Sequence, residues 1–376
     1  MEGERRGLSR GLTASRAMLP ENENRGEEAP SGGSSGSHWS LPRVDRDNYQ
    51  FGGEVGRGGQ GRIVSARDRR LNRDIALKEL IDPDPALLKR FEREALITAK
   101  LQHPAIVPVH EAGTWDDGQP FYAMKLVSGQ SLGDVIAAAK TLPDRLALLP
   151  NVITVTDALS FAHASGVVHR DLKPANVLVG DFGETIVIDW GLAKVRPDSP
   201  MLEGDPVAAR TLGAGDSSVE LSGPGETMLV SGDDSQLTQA GGIIGTPAYM
   251  APEQARGEDA DSRSDVYSLG AILYQLLSGK SPFHGKSAPQ ILMAVVRAKQ
   301  PGFERLPAGV PEDLVTIVKK AMSYDPAERY PSARELAAEL RRFTTGQLVS
   351  AHSYTSSELL LRWVKRYRGV VMVSTA

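Results

Sequence analysis

The sequence predicts an α+β fold, and a few stretches carry that prediction. Residues Arg62 to Asp68 alternate polar and apolar side chains as a strand does, and Ile75 to Lys78 is interpreted as the end of a second strand. From Leu87 to Ala99, apolar residues recur at steps of three and four, which is typical of an amphipathic helix. A later apolar run, Thr185 to Ile188, predicts a further strand.

A glycine-rich turn precedes the first of these strands. Residues 54–64, EVGRGGQGRIV, fit the pattern G-x-G-x-x-G-x-V with Ile63 in the last place. Glycines let the backbone approach phosphate groups closely and point N–H groups at them. Alone, such spacing is more often just a turn, and it also opens dinucleotide-binding folds, where a helix must follow. A strand follows here, so the order of elements argues against a dinucleotide-binding fold.

The strongest chemical signal is the stretch 169–176, HRDLKPAN, followed by Asp189, Trp190 and Gly191. An aspartate near a substrate hydroxyl can take its proton as the bond to phosphorus forms, while an asparagine and a second aspartate hold metal against the phosphates. Turn capping is the alternative role for such residues, but a chance match at all eight positions would be rare. The stretch resembles the catalytic loop of the eukaryotic-type serine/threonine protein kinases, a family that also occurs in bacteria.

This resemblance implies a bilobal protein-kinase fold. It predicts a kinase domain over 47–346, with a small lobe of antiparallel sheet plus one helix (49–124) and a larger, mainly helical lobe (128–346). A hinge at Lys125 to Val127 would join the lobes, with ATP between them. The residues expected to contact the nucleotide are Val55, Gly56, Arg57, Gly58, Gly59, Gln60, Gly61, Ile63, Ala76, Lys78, Met124, Lys125, Val127 and Asp189.

The resemblance also implies roles around the phosphates. Asp171 would orient and deprotonate the acceptor hydroxyl, and Asn176 and Asp189 would bind Mg²⁺. Lys173 would steady the γ-phosphate, and in this family a lysine at this place accompanies serine and threonine kinases.

Lys78 resembles the strand lysine that grips the α- and β-phosphates, although a lysine on a strand is otherwise most often a solvated surface charge. An acidic residue of the following helix would orient it. Arg93-Glu94-Ala95 matches the family's helix, so Glu94 is predicted as that partner. Glu92, on a different face of the helix, is the alternative.

The family's metal-binding triplet is spelled literally at Asp181-Phe182-Gly183, yet Asp181 comes only five residues after Asn176. A strand and a turn must fit between the two metal ligands. Asp189 comes 13 residues after Asn176 and follows the apolar run that starts at Thr185. Asp189 is therefore the predicted ligand, and Gly180 to Glu184 is interpreted as a hairpin turn. Trp190 then stands where the family usually has phenylalanine.

Residues 245–253, GTPAYMAPE, resemble the end of a kinase activation segment, and Thr246 points to serine/threonine substrates. Asp265 resembles a residue of the buried helix that supports the catalytic loop, and Arg329 resembles the arginine that pairs with Glu253. The alternative for each is a surface ion pair worth less than about 1 kcal/mol.

Composition narrows the chemistry further. The 376 residues include no cysteine, which excludes disulfides, thiol catalysis and zinc–thiolate sites. A net charge of −4 lacks the basic footprint of a nucleic-acid-binding protein, and the seven histidines show no metal-type spacing. ATP use argues for a cytoplasmic location.

Three segments are expected to lie outside the compact fold. Residues 1–46 are polar and glycine-rich, which predicts a disordered tail without a signal peptide. Residues 196–242 form an insert with eight acidic residues against two arginines, of a kind that is regulatory or disordered. Self-phosphorylation is predicted there, with Arg170 receiving the phosphate. The candidate acceptors are Thr238 first and then Thr227, Ser231 and Ser235.

The third segment, 347–376, is basic and resembles the juxtamembrane stretch of bacterial kinases. Its apolar end is too short to span a bilayer. Three interpretations stay open: a basic amphipathic helix packed on the kinase or lying on a membrane, the truncated approach to a spanning helix, and a solvated helix face.

Together these features predict an ATP- and Mg²⁺-dependent protein serine/threonine kinase that phosphorylates protein substrates and itself. A catalytically silent kinase-like scaffold is the alternative, which predicts loss of a lysine, base or metal aspartate, and none is missing. A nucleotide-binding oxidoreductase is disfavoured by the catalytic loop. Membrane association would come through the basic C-terminal segment, and no nucleic-acid partner is expected.

Overall fold

The structure, a computed structural model, describes residues 41–57, 61–81, 84–203, 208, 211–212, 246–297 and 300–356. An antiparallel sheet forms the small lobe, and its strands are β1 (Tyr49–Arg57), β2 (Gly61–Asp68), β3 (Arg73–Leu80), β4 (Val109–Thr114) and β5 (Pro120–Lys125). The strands lie in the order β1-β2-β3-β5-β4. Strands β1 and β2, which contain the two ends of the glycine-rich stretch, pair at one edge of this sheet.

The two faces of strand β3 serve different purposes, because successive side chains of a strand point to opposite faces. Ile75 and Leu77 are buried in an apolar cluster with Trp115 and Phe121. Ala76 and Leu80 belong to the cluster on the other face. Lys78 lies on that second face by alternation, which is the face that the helix of this lobe covers.

That helix is α1 (Pro85–Lys100). Asp84 caps it by accepting hydrogen bonds from the backbone N–H groups of Ala86 and Leu87, and Pro85 has the fixed φ that suits a first helical position. The helix buries Phe91 and Ala95 against the sheet. The same face carries Glu94, which is only 4% exposed.

The large lobe is mainly helical, which confirms the predicted α+β fold. Its described helices are α2 (Leu132–Ala138), α3 (Leu142–Leu146), α4 (Leu149–Ala164), α5 (Pro252–Ala255), α6 (Ser262–Ser278), α7 (Ala288–Arg297), α8 (Glu312–Ala321) and α9 (Ala333–Thr344). Its short strands are β6 (Gly129–Ser131), β7 (Val167–Val168), β8 (Val177–Gly180), β9 (Thr185–Val187) and β10 (Lys194–Val195). Strands β6, β8 and β9 form one small sheet, and β7 pairs with β10.

Helices α4 and α6 form the centre of this lobe. Helix α6 begins at the cap Asp261 and ends at Gly279, whose φ of 75° only glycine adopts readily, and nearly all of its residues are buried. Among the described residues, the stretch Leu142–Ala164 is long and apolar enough to cross a membrane. Val152 and Leu159 of this stretch are fully buried in the core of the lobe, so it is a core helix here.

The predicted hairpin turn at Gly180 to Glu184 is confirmed. Strand β8 ends at Gly180, β9 begins at Thr185, and the N–H of Gly180 donates to the carbonyl of Glu184 at 2.8 Å. Gly183 has a φ of 84°, and the Phe182 side chain is 97% exposed. Asp181 therefore lies in the turn between the two strands, whereas Asp189 follows strand β9.

Two of the predicted outer segments begin with ordered chain. Within the predicted tail, Leu41 and Val44 are buried, and the N–H of Val44 donates to the carbonyl of Thr114 at 2.9 Å. Within the predicted acidic insert, Ala208 and Leu212 are buried in the core of the large lobe. A few apolar residues of these polar stretches are therefore buried against the lobes. Residues 1–40 and 213–245 lie outside the described residues.

The described part of the predicted C-terminal segment also packs on the large lobe. Val349 is 1% exposed in the core of the large lobe. Tyr354 donates its hydroxyl to Asp313 of α8 at 3.1 Å and accepts from the N–H of Val349 at 2.8 Å. Residues 347–356 therefore pack on the last helices, while 357–376 lie outside the described residues.

Candidate active site

The stretch 169–176 forms a loop whose backbone is hydrogen-bonded to helix α6. Asp265 of α6 is fully buried and accepts hydrogen bonds from the backbone N–H groups of His169 at 2.8 Å and Arg170 at 2.9 Å. The third partner is the ring Nε2 of His163, at 2.8 Å. Burial opposes the charge of Asp265, but its hydrogen bonds and neighbouring histidines outweigh burial and lower the pKa of the carboxyl group below its usual value.

This anchoring explains an unusual backbone conformation. Arg170 has a φ of 70°, in the left-handed region that costs a residue with a side chain roughly 1–2 kcal/mol. Its N–H is fixed by Asp265, and its carbonyl accepts from the side-chain amide of Gln254 in α5 at 2.9 Å. The strained peptide is thus held from two helices, and it aims the next residue, Asp171, out of the loop.

The predicted base Asp171 lies in a small polar cluster with two other predicted residues. Its Oδ2 accepts from the ammonium of Lys173 at 2.8 Å and from the amide nitrogen of Asn176 at 3.2 Å. Asn176 also donates to the backbone carbonyl of Asp171 at 2.9 Å. The Asp171 side chain is only 18% exposed, so the three groups meet in a partly dry site, where charge interactions are strong.

Asp189 is delivered to the same place by strand β9. The N–H of Ile188 donates to the carbonyl of Asn176 at 2.9 Å, which fixes the two predicted metal ligands side by side. Asp189 has a φ of 64°, a second strained residue at the site. Gly191 lies close to both acids, because a Cβ at this position would lie 3.2 Å from Oδ1 of Asp189 and 3.3 Å from Oε2 of Glu94. Asp189 and Glu94 therefore converge on one point.

The predicted ion pair between the small-lobe strand and helix is formed. Nζ of Lys78 lies 2.5 Å from Oε1 of Glu94, and both side chains are largely buried. Burial alone would lower the pKa of Lys78, but the charges of Glu94 and Asp189 outweigh burial and raise it above its usual value. Lys78 therefore stays charged, near both acidic groups. Glu92 of the same helix is half-buried, and Glu94 is the acid that pairs with Lys78.

Apolar residues predicted to contact the nucleotide line the space beside Lys78. Ala76 and Met124 are buried partners across strands β3 and β5, and Ile63 and Val127 pack against the same cluster. Ile188 also joins it, although it was not predicted. This surface suits a flat apolar ring between the lobes.

The glycine-rich turn is described only at its two ends. Gly61 cannot carry a side chain, since a Cβ would collide with the carbonyl oxygen of Glu79. Arg57 pairs with Glu54 through two hydrogen bonds of 2.9 and 2.8 Å, and Val55 is 56% exposed. Gly56 lies between Val55 and Arg57 in β1. At the hinge, Nζ of Lys125 lies 3.8 Å from Oε1 of Glu184. The predicted contacts Gly58, Gly59 and Gln60 lie outside the described residues.

The buried pair predicted between Glu253 and Arg329 is also present. The guanidinium binds the carboxylate through two hydrogen bonds of 2.7 and 2.8 Å, and Ser264 of α6 donates a third at 2.7 Å. Burial opposes ionisation of Glu253, but Arg329 outweighs it and lowers the pKa of the carboxyl group. The alternative of a surface ion pair is wrong, because the Arg329 side chain is fully buried. The pair fixes α5, whose Gln254 holds the catalytic loop.

Besides Ile188, sequence reasoning missed three polar residues of this site. His163 and Gln254 hold the catalytic loop, and Tyr122 of β5 donates its hydroxyl to Glu94 at 2.7 Å. None belongs to a short motif. The signal that could have found Tyr122 is its place in a predicted strand next to the hinge, but the register that sets it opposite Lys78 is not written in the local sequence.

Fold and site together define a protein kinase. The model of the family described as protein tyrosine and serine/threonine kinase matches residues 49–340. The chain belongs to this family, as the catalytic loop, the Lys78–Glu94 pair and the Glu253–Arg329 pair indicate.

More particularly, the relatives are bacterial serine/threonine kinases. The serine/threonine-protein kinase PknB of Mycobacterium leprae is 34% identical over 307 residues, covering 80% of this chain and 44% of the relative. PknB of Mycolicibacterium smegmatis is 35% identical over 318 residues (83% and 45%), and PknD of Protochlamydia amoebophila is 34% identical over 328 residues (82% and 31%). The chain spans less than half the length of these curated relatives.

Proposed function

We propose that this chain transfers the γ-phosphate of ATP to serine or threonine hydroxyls of protein substrates, and to its own insert. The observation that carries the proposal is the convergence of Asp171, Asn176, Asp189 and Lys78 on one cleft, with Lys78 already paired to Glu94. Phosphoryl transfer requires mainly positioning and charge stabilisation, and these residues supply both.

Asp171 is the residue that we expect to bind the acceptor hydroxyl. Its Oδ2 is engaged by Lys173 and Asn176, so Oδ1 is the oxygen that can accept the hydroxyl proton. Lys173 lies close enough to place its positive charge beside the transferring group. A base contributes typically about 10² to 10⁴ in rate, and the position of Asp171 on a strained, anchored loop keeps its carboxylate in one orientation.

The donor set fits Mg²⁺. Asn176 uses its amide nitrogen for Asp171, which turns the amide oxygen outward, and Asp189 adds a carboxylate. Magnesium prefers a few oxygen ligands and keeps part of its water shell. Asn176 and Asp189 would hold the ion, which would neutralise charge on the phosphates. Lys78 would bind the α- and β-phosphates next to it, with Glu94 preventing the ammonium from swinging away.

The relatives support kinase function over the silent-scaffold alternative, which would predict loss of the lysine, the base or a metal aspartate. The protein substrate and any membrane association belong to the proposal as well. We infer that the kinase domain works in the cytoplasm, where ATP is available, and that the basic segment beyond residue 356 is its route to a membrane.

An assay with γ-labelled ATP, Mg²⁺ and a generic protein acceptor tests the proposal. We expect label on serine and threonine, identified by phosphoamino-acid analysis, and incorporation that ceases when Mg²⁺ is chelated. Asp171→Asn is the matched control, because it changes one oxygen of the base. Equal labelling by wild-type protein and this variant would contradict the proposed mechanism.

A further inference from the structure

Tyr122 of strand β5 lies directly opposite Lys78 of β3 in the small-lobe sheet. Cross-strand partners point to the same face, so the tyrosine ring extends toward helix α1 beside the lysine. Its hydroxyl donates to Oε1 of Glu94 at 2.7 Å, and the same oxygen lies 2.5 Å from Nζ of Lys78. One carboxylate oxygen therefore joins a strand lysine, a helix glutamate and a second strand.

The ring of Tyr122 also lies close to helix α1 and to the lysine of the ion pair. Its centroid lies 5.2 Å from that of Phe91, one turn before Glu94 in α1, and 5.8 Å from Nζ of Lys78. Tyr122 is only 3% exposed. In such a dry environment a hydrogen bond to a charged group is stronger than in water. Burial also raises the pKa of the Tyr122 hydroxyl well above its usual value, so it remains a donor at all physiological pH values.

The consequence concerns the position of helix α1. Glu94 can orient Lys78 only when the helix lies against the sheet. The ion pair between Lys78 and Glu94 is one link between the sheet and the helix. This link is weakened when the ammonium of Lys78 also binds phosphate. The hydrogen bond from the Tyr122 hydroxyl to Glu94 is a second link between the sheet and the helix. This hydroxyl has no expected role in binding phosphate, so the second link persists when the nucleotide binds.

We propose that Tyr122 is a positioning residue for phosphoryl transfer, which holds Glu94 and helix α1 in place from the sheet while Lys78 engages the nucleotide. The proposal rests on the proposed kinase function. It predicts that Tyr122 acts through Glu94 and not on the substrate.

The test is Tyr122→Phe, which removes only the hydroxyl. We expect kcat to fall about tenfold, as for loss of a hydrogen bond to a charged group, while KM for the acceptor protein stays the same. In a Glu94→Gln background the same change should cost less than about twofold, since coupled residues are not additive. Tyr274→Phe is the matched control: this buried hydroxyl donates to the carbonyl of Gly302 at 3.0 Å in the large lobe, and its loss should leave turnover unchanged.

Two results would overturn the proposal: wild-type turnover in Tyr122→Phe, or fully additive losses in the double variant. Affinity for Mg²⁺-ATP, measured by calorimetry without turnover, separates this proposal from the proposed function. A weaker nucleotide affinity of Tyr122→Phe, in a protein whose wild type phosphorylates nothing, would support the positioning role and contradict the kinase assignment. Unchanged affinity in that case would overturn both.

Discussion

Asp265→Asn is the substitution that tests how the catalytic loop is held. Asp265 serves three donors: the N–H groups of His169 and Arg170, and the ring of His163. Asparagine has the same shape but one acceptor oxygen, so its amide nitrogen must face a donor in either orientation. At least one buried donor then loses its acceptor, and the remaining hydrogen bonds lose their charge.

The magnitude follows from these contacts. An unpaired buried donor costs about 1–3 kcal/mol, and hydrogen bonds to a neutral acceptor are roughly half as strong as those to a charged one. We expect a loss of about 3 kcal/mol in the free energy of unfolding. With an unfolding entropy of about 2.1 cal/mol/K per residue, this corresponds to a Tm lower by roughly 5 °C in a domain of about 300 residues. Arg170, no longer fixed at its strained φ, can relax and displace Asp171, and a shift of about 1 Å there lowers kcat by roughly 10²-fold.

Thermal unfolding and steady-state kinetics measure the two effects in parallel. Asp157→Asn is the control: this carboxylate of α4 pairs with Arg341 on the surface, and such pairs are worth at most about 1 kcal/mol. Because the pKa of Asp265 is lowered in the folded state, its contribution is full above the unfolded value of about 3.9 and is lost as pH falls below it. A Tm loss no larger than that of Asp157→Asn, with normal kcat, would refute the reasoning.

Three further predictions concern the cleft. Asp171→Asn should lower kcat by about 10² to 10⁴ while calorimetry shows near-normal ATP affinity, because the carboxylate acts on the acceptor; a parallel loss of ATP affinity would count against that role. Asp189→Ala should abolish Mg²⁺-dependent turnover, whereas Asp181→Ala, in the hairpin turn, should be mild, and equal damage would mean that the triplet is misassigned. Glu94→Ala should suppress transfer and Glu92→Ala should be near neutral in side-by-side kinetics; the reverse ranking would move the ion pair to Glu92.

The residues of the site that can be predicted from the sequence are those that lie in short motifs or at fixed distances along the chain. Asn176 and Asp189 must be separated by a strand and a turn, and this requirement alone excludes Asp181. Glu94 is predicted because Arg93-Glu94-Ala95 resembles the family's helix. Both features lie within short stretches of sequence, so they are visible without the fold.

Features that depend on register and on distant packing are not visible in this way. Tyr122 meets Glu94 across 28 residues and His163 meets Asp265 across 102, and no local pattern specifies either contact. The same holds for Val349, an apolar residue in a polar stretch that packs into the large lobe. Its burial depends on a surface formed by helices earlier in the chain, which the local sequence does not specify.

Trp190, which follows the predicted metal ligand Asp189, can serve as an intrinsic fluorescent probe of this site. Trp190 is 1% exposed, and its ring centroid lies 4.6 Å from that of His169 in the catalytic loop. Among the described residues its indole N–H has no hydrogen-bond partner. We therefore expect the emission wavelength of Trp190 to be that of a buried indole shielded from water. Because Trp190 directly follows Asp189, we expect a rearrangement that carries Asp189 away from the cleft to move the indole as well, toward water or away from the imidazole. Intrinsic fluorescence, compared with that of a Trp190→Phe protein, can therefore follow a movement of Asp189 in real time without an attached dye.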